Sequence, residues 1–323
     1  MNNIQTNEIT KFERSVCWHD DFQDTQDAIE KLLTYSGRKP KARLLKGKPG
    51  TGKTLSAVTA MDALHQESST DALTTKPTIY INVSLVNSPG QLLSAILEQL
   101  GDINPYRGEQ PQKVKTIIRL FKEKGVKLVI IDEFQDILPK SRIQPSSKIY
   151  RFLKGFMDEC GVPFLLLGTE NSERFLEVDD QIRTRFLPTQ ELLPFSCLSE
   201  IEKLRFALII ESILFELPRK TKGLLFTEDY VDEDGNEAIR LKPNHNMLYR
   251  LNLATSGLMR VIVNLFTECI ELTNTDDVVD GDVLQIAYNN VVSGTHTINP
   301  FDMSNTLSRV KSRLVKEGLY NAK

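Results

Sequence analysis

Residues Gly47-Lys48-Pro49-Gly50-Thr51-Gly52-Lys53-Thr54 have the spacing of a loop that grips phosphate: glycine, a four-residue spacer, then glycine, lysine and a hydroxyl. In such a loop the glycines let successive backbone N–H groups converge on phosphate oxygens at the start of a helix, while the lysine adds a point charge and the hydroxyl holds magnesium. Downstream, the apolar run Leu128-Val129-Ile130-Ile131 ends in Asp132-Glu133. A carboxylate ending a buried strand can share a magnesium hydration shell with Thr54, and the carboxylate beside it can orient and deprotonate a water. Asp132 and Thr54 are therefore the expected metal-holding pair, and Glu133 the expected base. The chemistry is hydrolysis of a nucleoside triphosphate, with ATP and Mg2+ as the expected ligands.

Three further positions are candidates around that reaction. Gly168-Thr169-Glu170-Asn171 closes another apolar run, and Thr169 is the expected polar sensor of the γ-phosphate, with Asn171 as the alternative. Asp179-Asp180-Gln181-Ile182-Arg183-Thr184-Arg185-Phe186 carries two arginines, one of which can act on a neighbour's γ-phosphate; Arg185 is preferred to Arg183, against an internal salt bridge to Asp179 or Asp180. Arg260, in the first turn of a predicted helix, sits where a cation opposes the helix dipole, which favours an anionic partner such as bound nucleotide.

Elements able to position these groups follow from periodicity. Ile29, Leu32 and Leu33 predict a helix before Gly37, and 42–46 a short strand feeding the phosphate loop. Leu55, Val58 and Met61 mark the helix after it, and 78–83 the next buried strand. Helices are expected over 90–100 and 112–124, the latter stopped by Gly125, then the strand 128–131. A helix with Ile149, Phe152, Leu153, Phe156 and Met157 on one face precedes the strand 163–167. Strands alternating with helices predict an α/β fold: a parallel sheet covered on both faces. After Pro194 the pattern is helical, at 198–215, 247–254, 258–272 and 282–292, with a surface hairpin over 230–241 turning at Asp234-Gly235 and a basic helix at 307–315. The expected division is a 1–40 N-terminal segment and helix, a 41–194 nucleotide-binding domain, a small all-α lid at 195–292 and a basic tail at 293–323.

The chain has 323 residues, 40% hydrophobic and 26% charged, with a formal charge of −3. No apolar stretch is long enough to cross a bilayer and the N-terminal MNNIQTNEITKFERS lacks the apolar segment of a secretory signal, so the expectation is a cytoplasmic protein with no membrane partner. Cys17, Cys160, Cys197 and Cys269 are far apart and read as reduced and structural. An acidic chain excludes a general basic coat, so contact with nucleic acid must come from local stripes. One stripe is 137–157, with Lys140, Arg142, Lys148, Arg151 and Lys154 and no acidic residue. Another is 112–127, with Lys113, Lys115, Arg119, Lys122, Lys124 and Lys127 against Glu123. Both suit a DNA phosphate backbone, and neither contains a base-reading motif. Val16, Trp18 and Phe22 are candidates for an adenine pocket or for a hydrophobic staple.

In order, G-x4-GKT, LVIIDE, GTEN, QIRTRF and SGLMR resemble the AAA+ ATPases. More narrowly, IDEFQDILPKS and GVPFLLLGTENSERFLEVDDQIRTRF look like the transposon regulators TnsC and TniB, over about 12–292. That resemblance implies a P-loop NTPase sheet with a helical lid, and an ATP-dependent regulator of DNA transposition. Its copies would assemble as a ring or filament on double-stranded DNA, receive a target-selection protein, recruit the transposase and disassemble on hydrolysis; an RNA-guided selector is left open. By motif match it implies phosphate and magnesium binding by Lys53 and Thr54, water-mediated magnesium binding by Asp132, a catalytic base in Glu133 and a finger in Arg185. Two other readings stand beside it. One is a replication initiator or helicase loader, set back because only about thirty residues follow Val292, too few for an appended winged or helix-turn-helix reader. The other is a nucleotide-switched scaffold with little hydrolysis, against which Glu133 counts.

Overall fold

The computed structural model describes residues 3–15, 18–68, 75–232, 235–292 and 298–321. They fall into two compact units, Asp20–Leu193 and a second that joins Met1–His19 to Pro194–Lys323. In chain order the elements are α1 (Asn3–Arg14), α2 (Asp20–Leu33), β1 (Ala42–Gly47), α3 (Lys53–Ser68), β2 (Thr78–Asn82), α4 (Pro89–Gln99), α5 (Gln110–Lys124), β3 (Leu128–Asp132), α6 (Lys148–Glu159), β4 (Phe164–Gly168), α7 (Asp180–Arg183) and β5 (Gln190–Leu192). There follow α8 (Glu200–Glu216), β6 (Lys220–Thr221), β7 (Thr227–Val231), β8 (Glu237–Leu241), α9 (Asn246–Thr255), α10 (Met259–Leu272), β9 (Val278–Val279), α11 (Gly281–Val291) and α12 (Leu307–Lys316).

In the first unit the strands form a parallel sheet of order β2-β3-β4-β1-β5. Strands buried on both faces need apolar residues at every position, which is why β3 and β4 read as unbroken LVII and FLLL. Side chains alternate across the sheet. Leu44, Ile79, Ile81, Val129, Ile131, Phe164 and Leu166 share a core with residues of α4, α5 and α6. Leu45, Leu128, Ile130, Leu165 and Leu167 pack with Ile29 and Leu32 of α2 and Ala57, Ala60 and Leu64 of α3. Each fully buried large side chain contributes about 1.5–3 kcal/mol relative to its exposed state. Local signals start the helices: Ser88 accepts from Gln91 N at 3.3 Å ahead of Pro89, and Glu109 and Gln112 form a capping box ahead of α5. Tyr150, rather than Ile149 or Phe152, completes the buried face of α6 with Leu153, Phe156 and Met157.

β5 has no counterpart in the sequence reading. Three residues, Gln-Glu-Leu, carry no periodicity, and β5 exists because it pairs in register with β1, Leu45 to Gln190 and Gly47 to Leu192.

The second unit is helical, with the two-residue pair β6–β9 and the hairpin β7–β8 added. The hairpin stands where it is expected, and its turn residue Asp234 lies outside the described residues. Phe206, Ile210, Leu251, Leu265, Phe266 and Leu284 make the core, and Phe12, Phe301, Val310 and Leu314 belong to it. The expected boundaries at 40 and 292 are therefore corrected. α1 is part of this unit because Phe12 joins its core and the buried Arg219 pairs with Glu8 at 2.9 Å. The chain from 298 onward is part of it because buried Arg250 donates to the Pro300 carbonyl and, at 2.9 Å, to that of Asn305. Cys160, Cys197 and Cys269 are free and buried, each thiol pushed up to about 12 by burial, and Cys17 lies outside the described residues. No single helix among the described residues is long and apolar enough to span a membrane.

Candidate nucleotide site

The phosphate loop joins the end of β1 to the first residue of α3. Gly50 and Gly52 have φ of 87° and 103°, the left-handed region that side-chain-bearing residues avoid. Gly47 is required for another reason: a Cβ there would lie 2.4 Å from the Leu192 carbonyl oxygen of β5. The neglected edge strand thus fixes the loop's first glycine. Within the loop Thr51 Oγ1 donates to Lys48 O at 2.9 Å, and buried Lys53 donates from Nζ to the carbonyls of Gly47 at 2.8 Å and Lys48 at 3.0 Å. Pro49 lies between them in the loop.

Asp132 is the hub. Its Oδ2 accepts from Thr54 Oγ1 at 2.9 Å and from Tyr80 OH at 2.5 Å, and its Oδ1 accepts from the backbone N–H of Glu133 at 2.8 Å. It is 2% exposed, and three donors compensate the cost of burying a carboxylate. Burial, then the bond to Asp132, holds the Tyr80 phenol well above its ordinary range, so it stays a donor. Tyr80 carried no motif; its signal was a polar-tipped residue inside an apolar strand.

β4 lies between β1 and β3 in the sheet, so its end stands between the phosphate loop and Asp132. Thr169 follows there, with its Oγ1 buried and, among the described residues, without a hydrogen-bond partner. Glu133 adopts the left-handed conformation, φ 56°, at about 1–2 kcal/mol for a residue with a side chain. Its carboxylate accepts from Gln135 Nε2 at 2.6 Å, and Gln135 Oε1 accepts from Thr169 N at 3.1 Å. Thr54, Asp132, Glu133 and Thr169 are thereby brought into one connected cluster with Tyr80 and Gln135. Asn171 lies in the short 3-10 turn Glu170–Phe175, exposed.

The arginines part company. Arg185 grips Asp158 with both edges of its fork, Nε to Oδ1 and Nη2 to Oδ2, each at 2.7 Å, and its Nη1 donates to Gln181 O. The bond to Arg185 holds the Asp158 carboxyl below its ordinary range. Within one copy, then, Arg185 has an internal ion-pair partner, and that partner is Asp158 rather than Asp179 or Asp180. Asp179 caps α7, accepting from Ile182 N at 2.8 Å. Arg183, at the last residue of α7, is exposed. Arg260 is exposed on the first turn of α10, in the second unit. Phe22 is buried on α2, Trp18 is 55% exposed, and Val16 lies outside the described residues.

Of the basic stripes, Lys140, Arg142, Lys148 and Arg151 are exposed, as are Lys115 and Arg119, the latter paired with Glu123 at 2.6 Å. Lys113 leaves the stripe: it is buried and donates to Ser94 Oγ at 2.7 Å. Lys154 is half-buried and donates to the exposed Gln181 Oε1.

A parallel sheet carrying this loop, an Asp-Glu strand end and a helical second unit defines the class as the AAA+ P-loop proteins. Residues 11–194 match the family described as Bacterial TniB protein, and the chain belongs to that family. Among curated proteins, ORC1-type DNA replication protein 1 of Aeropyrum pernix is 34% identical over 145 residues, 44% of this chain and 36% of that protein. ORC1-type DNA replication protein 2 of Thermoplasma acidophilum is 25% identical over 191 residues, 56% and 45% respectively. The chain thus spans less than half the length of these relatives. Among solved structures, Aeropyrum pernix ORC2 (ADPNP-ADP complexes) aligns with a TM-score of 0.56 at 17% identity, covering 83% of this chain and 66% of that one. Cdc6p from Pyrobaculum aerophilum aligns at 0.59 and 13% identity, covering 89% and 72%. At these identities the structures establish the fold.

Proposed function

We propose that this protein is an ATP-hydrolysing regulator of DNA transposition, whose ATP-bound copies assemble on double-stranded DNA and couple a target-selection protein to the transposase. One observation carries the hydrolytic part: in a chain of the TniB family, Thr54 and Asp132 share a hydrogen bond beside a phosphate loop, with Glu133 next in sequence. A hydroxyl and a carboxylate this close are hard oxygen donors suited to Mg2+, which would neutralise phosphate charge when bound with ATP. Lys53 and the backbone N–H groups of the loop Gly47 to Thr54, Pro49 excepted, bind the phosphates. Glu133 takes the proton of the attacking water, and Thr169 orients the γ-phosphate from the end of β4. Arg183 of a neighbouring copy supplies positive charge to the transition state, making turnover depend on assembly. Arg260 is a further nucleotide ligand in this reading. Lys140, Arg142, Lys148, Arg151, Lys115 and Arg119 contact phosphates of the duplex.

The test is ATP turnover by the full chain with and without duplex DNA. Stimulation by DNA, with Glu133→Gln assembling normally but turning over at least about 100-fold more slowly, supports the proposal. Equal turnover by wild type and Glu133→Gln refutes it. The similarity to ORC1-type replication proteins favours a second reading, a replication initiator or helicase loader. ATP-dependent capture of a helicase, with no effect on strand transfer by a transposase, would select that reading.

A further inference from the structure

We propose that α12 is a second phosphate-contacting face, which takes the backbone of duplex DNA; this rests on the DNA-binding reading above. From Thr306 to Lys316 the chain has Arg309, Lys311, Arg313 and Lys316 and no acidic residue, in a protein of net charge −3. Val310 and Leu314 are fully buried, so the helix is anchored and its other face points outward. Among the described residues none of its four cations forms a salt bridge, although Arg309 donates to Asn305 Oδ1 at 2.9 Å. Lys311 instead lies 4.4 Å over the Tyr249 ring and 5.4 Å from that of Tyr320. Leu307, Ser308, Lys311, Ser312, Val315, Lys316 and Tyr320 line a groove of about 710 Å³ beside the Arg309 and Arg313 side of the helix. Arg309, Arg313 and Lys316 recur at i, i+4 and i+7, along about 10 Å of helix axis, which matches about three phosphates of one strand. Ser308 and Ser312 place hydroxyls between the cations, a combination that suits phosphate oxygens. Val315 is the one large apolar side chain of α12 among those most exposed.

The test is fluorescence anisotropy of a labelled duplex with the full chain and ATP, across salt concentrations. Arg309→Gln/Arg313→Gln/Lys316→Gln keeps the alkyl stems and helix propensity. It should weaken binding about tenfold and lower the slope of log K against log salt by about two to three, with nucleotide affinity unchanged. Arg313→Gln/Lys316→Gln should lower the slope by about two if Arg309 proves structural. An unchanged slope, or a loss confined to binding of the transposase, overturns the assignment. Failure of the wild type to bind duplex would instead strike the DNA-binding reading itself.

A separate observation carries an inference at the nucleotide site. We infer that Gln135 is a positioning residue, which ties the carboxylate of Glu133 to the end of β4. Its amide spans the gap, donating to Glu133 Oε2 at 2.6 Å and accepting from Thr169 N at 3.1 Å. Gly168 leaves room for it, since a Cβ there would lie 3.1 Å from Gln135 Oε1 and 2.1 Å from Ser172 Oγ. A shift of Thr169 on meeting phosphate therefore moves the acceptor side of Gln135 and, with it, the base.

Steady-state turnover and nucleotide affinity of Gln135→Ala and Gln135→Met, each in wild-type and Glu133→Gln backgrounds, test this. kcat should fall about tenfold with Kd within about twofold, and the second background should show no further loss. An unchanged kcat, or an equal loss in both backgrounds, overturns it.

Discussion

Arg183 and Arg185 are two residues apart, and their surroundings predict opposite consequences for the same substitution. Arg185 is a tether: its bidentate bonds to Asp158 at 2.7 Å join α7 to the end of α6. The two side chains are 23% and 43% exposed, so solvent screening limits the pair to about 1 kcal/mol. For a unit of this size that is about 2–4 °C in Tm. Arg185→Ala and Asp158→Ala should each lower Tm by about that amount and couple in a double-mutant cycle, while leaving turnover by assembled protein within about threefold. Arg183 is exposed, so Arg183→Ala should leave Tm and ATP affinity unchanged. Loss of a trans-acting arginine costs about 10³–10⁵ in turnover, and assembled Arg183→Ala should show a loss of that order. The assays are thermal unfolding of each variant and ATP turnover on saturating duplex. A silent Arg183→Ala beside an inactive but normally stable Arg185→Ala would refute the reasoning.

Lys53→Ala should abolish nucleotide binding, measured by titration with a fluorescent ATP analogue, and with it assembly on DNA. Tyr80→Phe removes one donor from the Asp132 carboxylate and should weaken magnesium-dependent ATP binding about tenfold with little change in Tm, read by metal titration at fixed ATP. The stability difference between wild type and Arg185→Ala should depend on pH. Asp158 has its carboxyl held low by Arg185, so the difference is constant from neutral pH down to the ordinary carboxylate range and disappears below about 3.9, as the carboxylate protonates. Urea unfolding across pH checks this, and a difference that grows on acidification would contradict it.

The sheet was legible because each central strand announced itself as an apolar run closed by a motif, and the phosphate loop and Asp132-Glu133 fixed its direction. What escaped had no local signal. β5 is three mixed residues stabilised by register with β1, and α1 and 298–321 look like a polar leader and a tail until Phe12, Phe301 and Arg250 are seen in the second core. At the site, residue type foretold Thr54 and Asp132 but not Tyr80 or Gln135. Their importance comes from partners 52 and 34 positions away, and no spacing rule covers such pairs. The same blindness missed Asp158 as the partner of Arg185, 27 residues upstream, and counted Lys113 as surface charge although Ser94 holds it inside.

Electron-microscope images of the full chain with duplex DNA and a slowly hydrolysed ATP analogue bear most directly on whether ATP joins neighbouring copies. The expected result is a ring or helical array around the duplex, with each nucleotide bounded by the phosphate loop of one copy and Arg183 of the next. Separate single copies on DNA, each enclosing its nucleotide with no group from a neighbour, would contradict it.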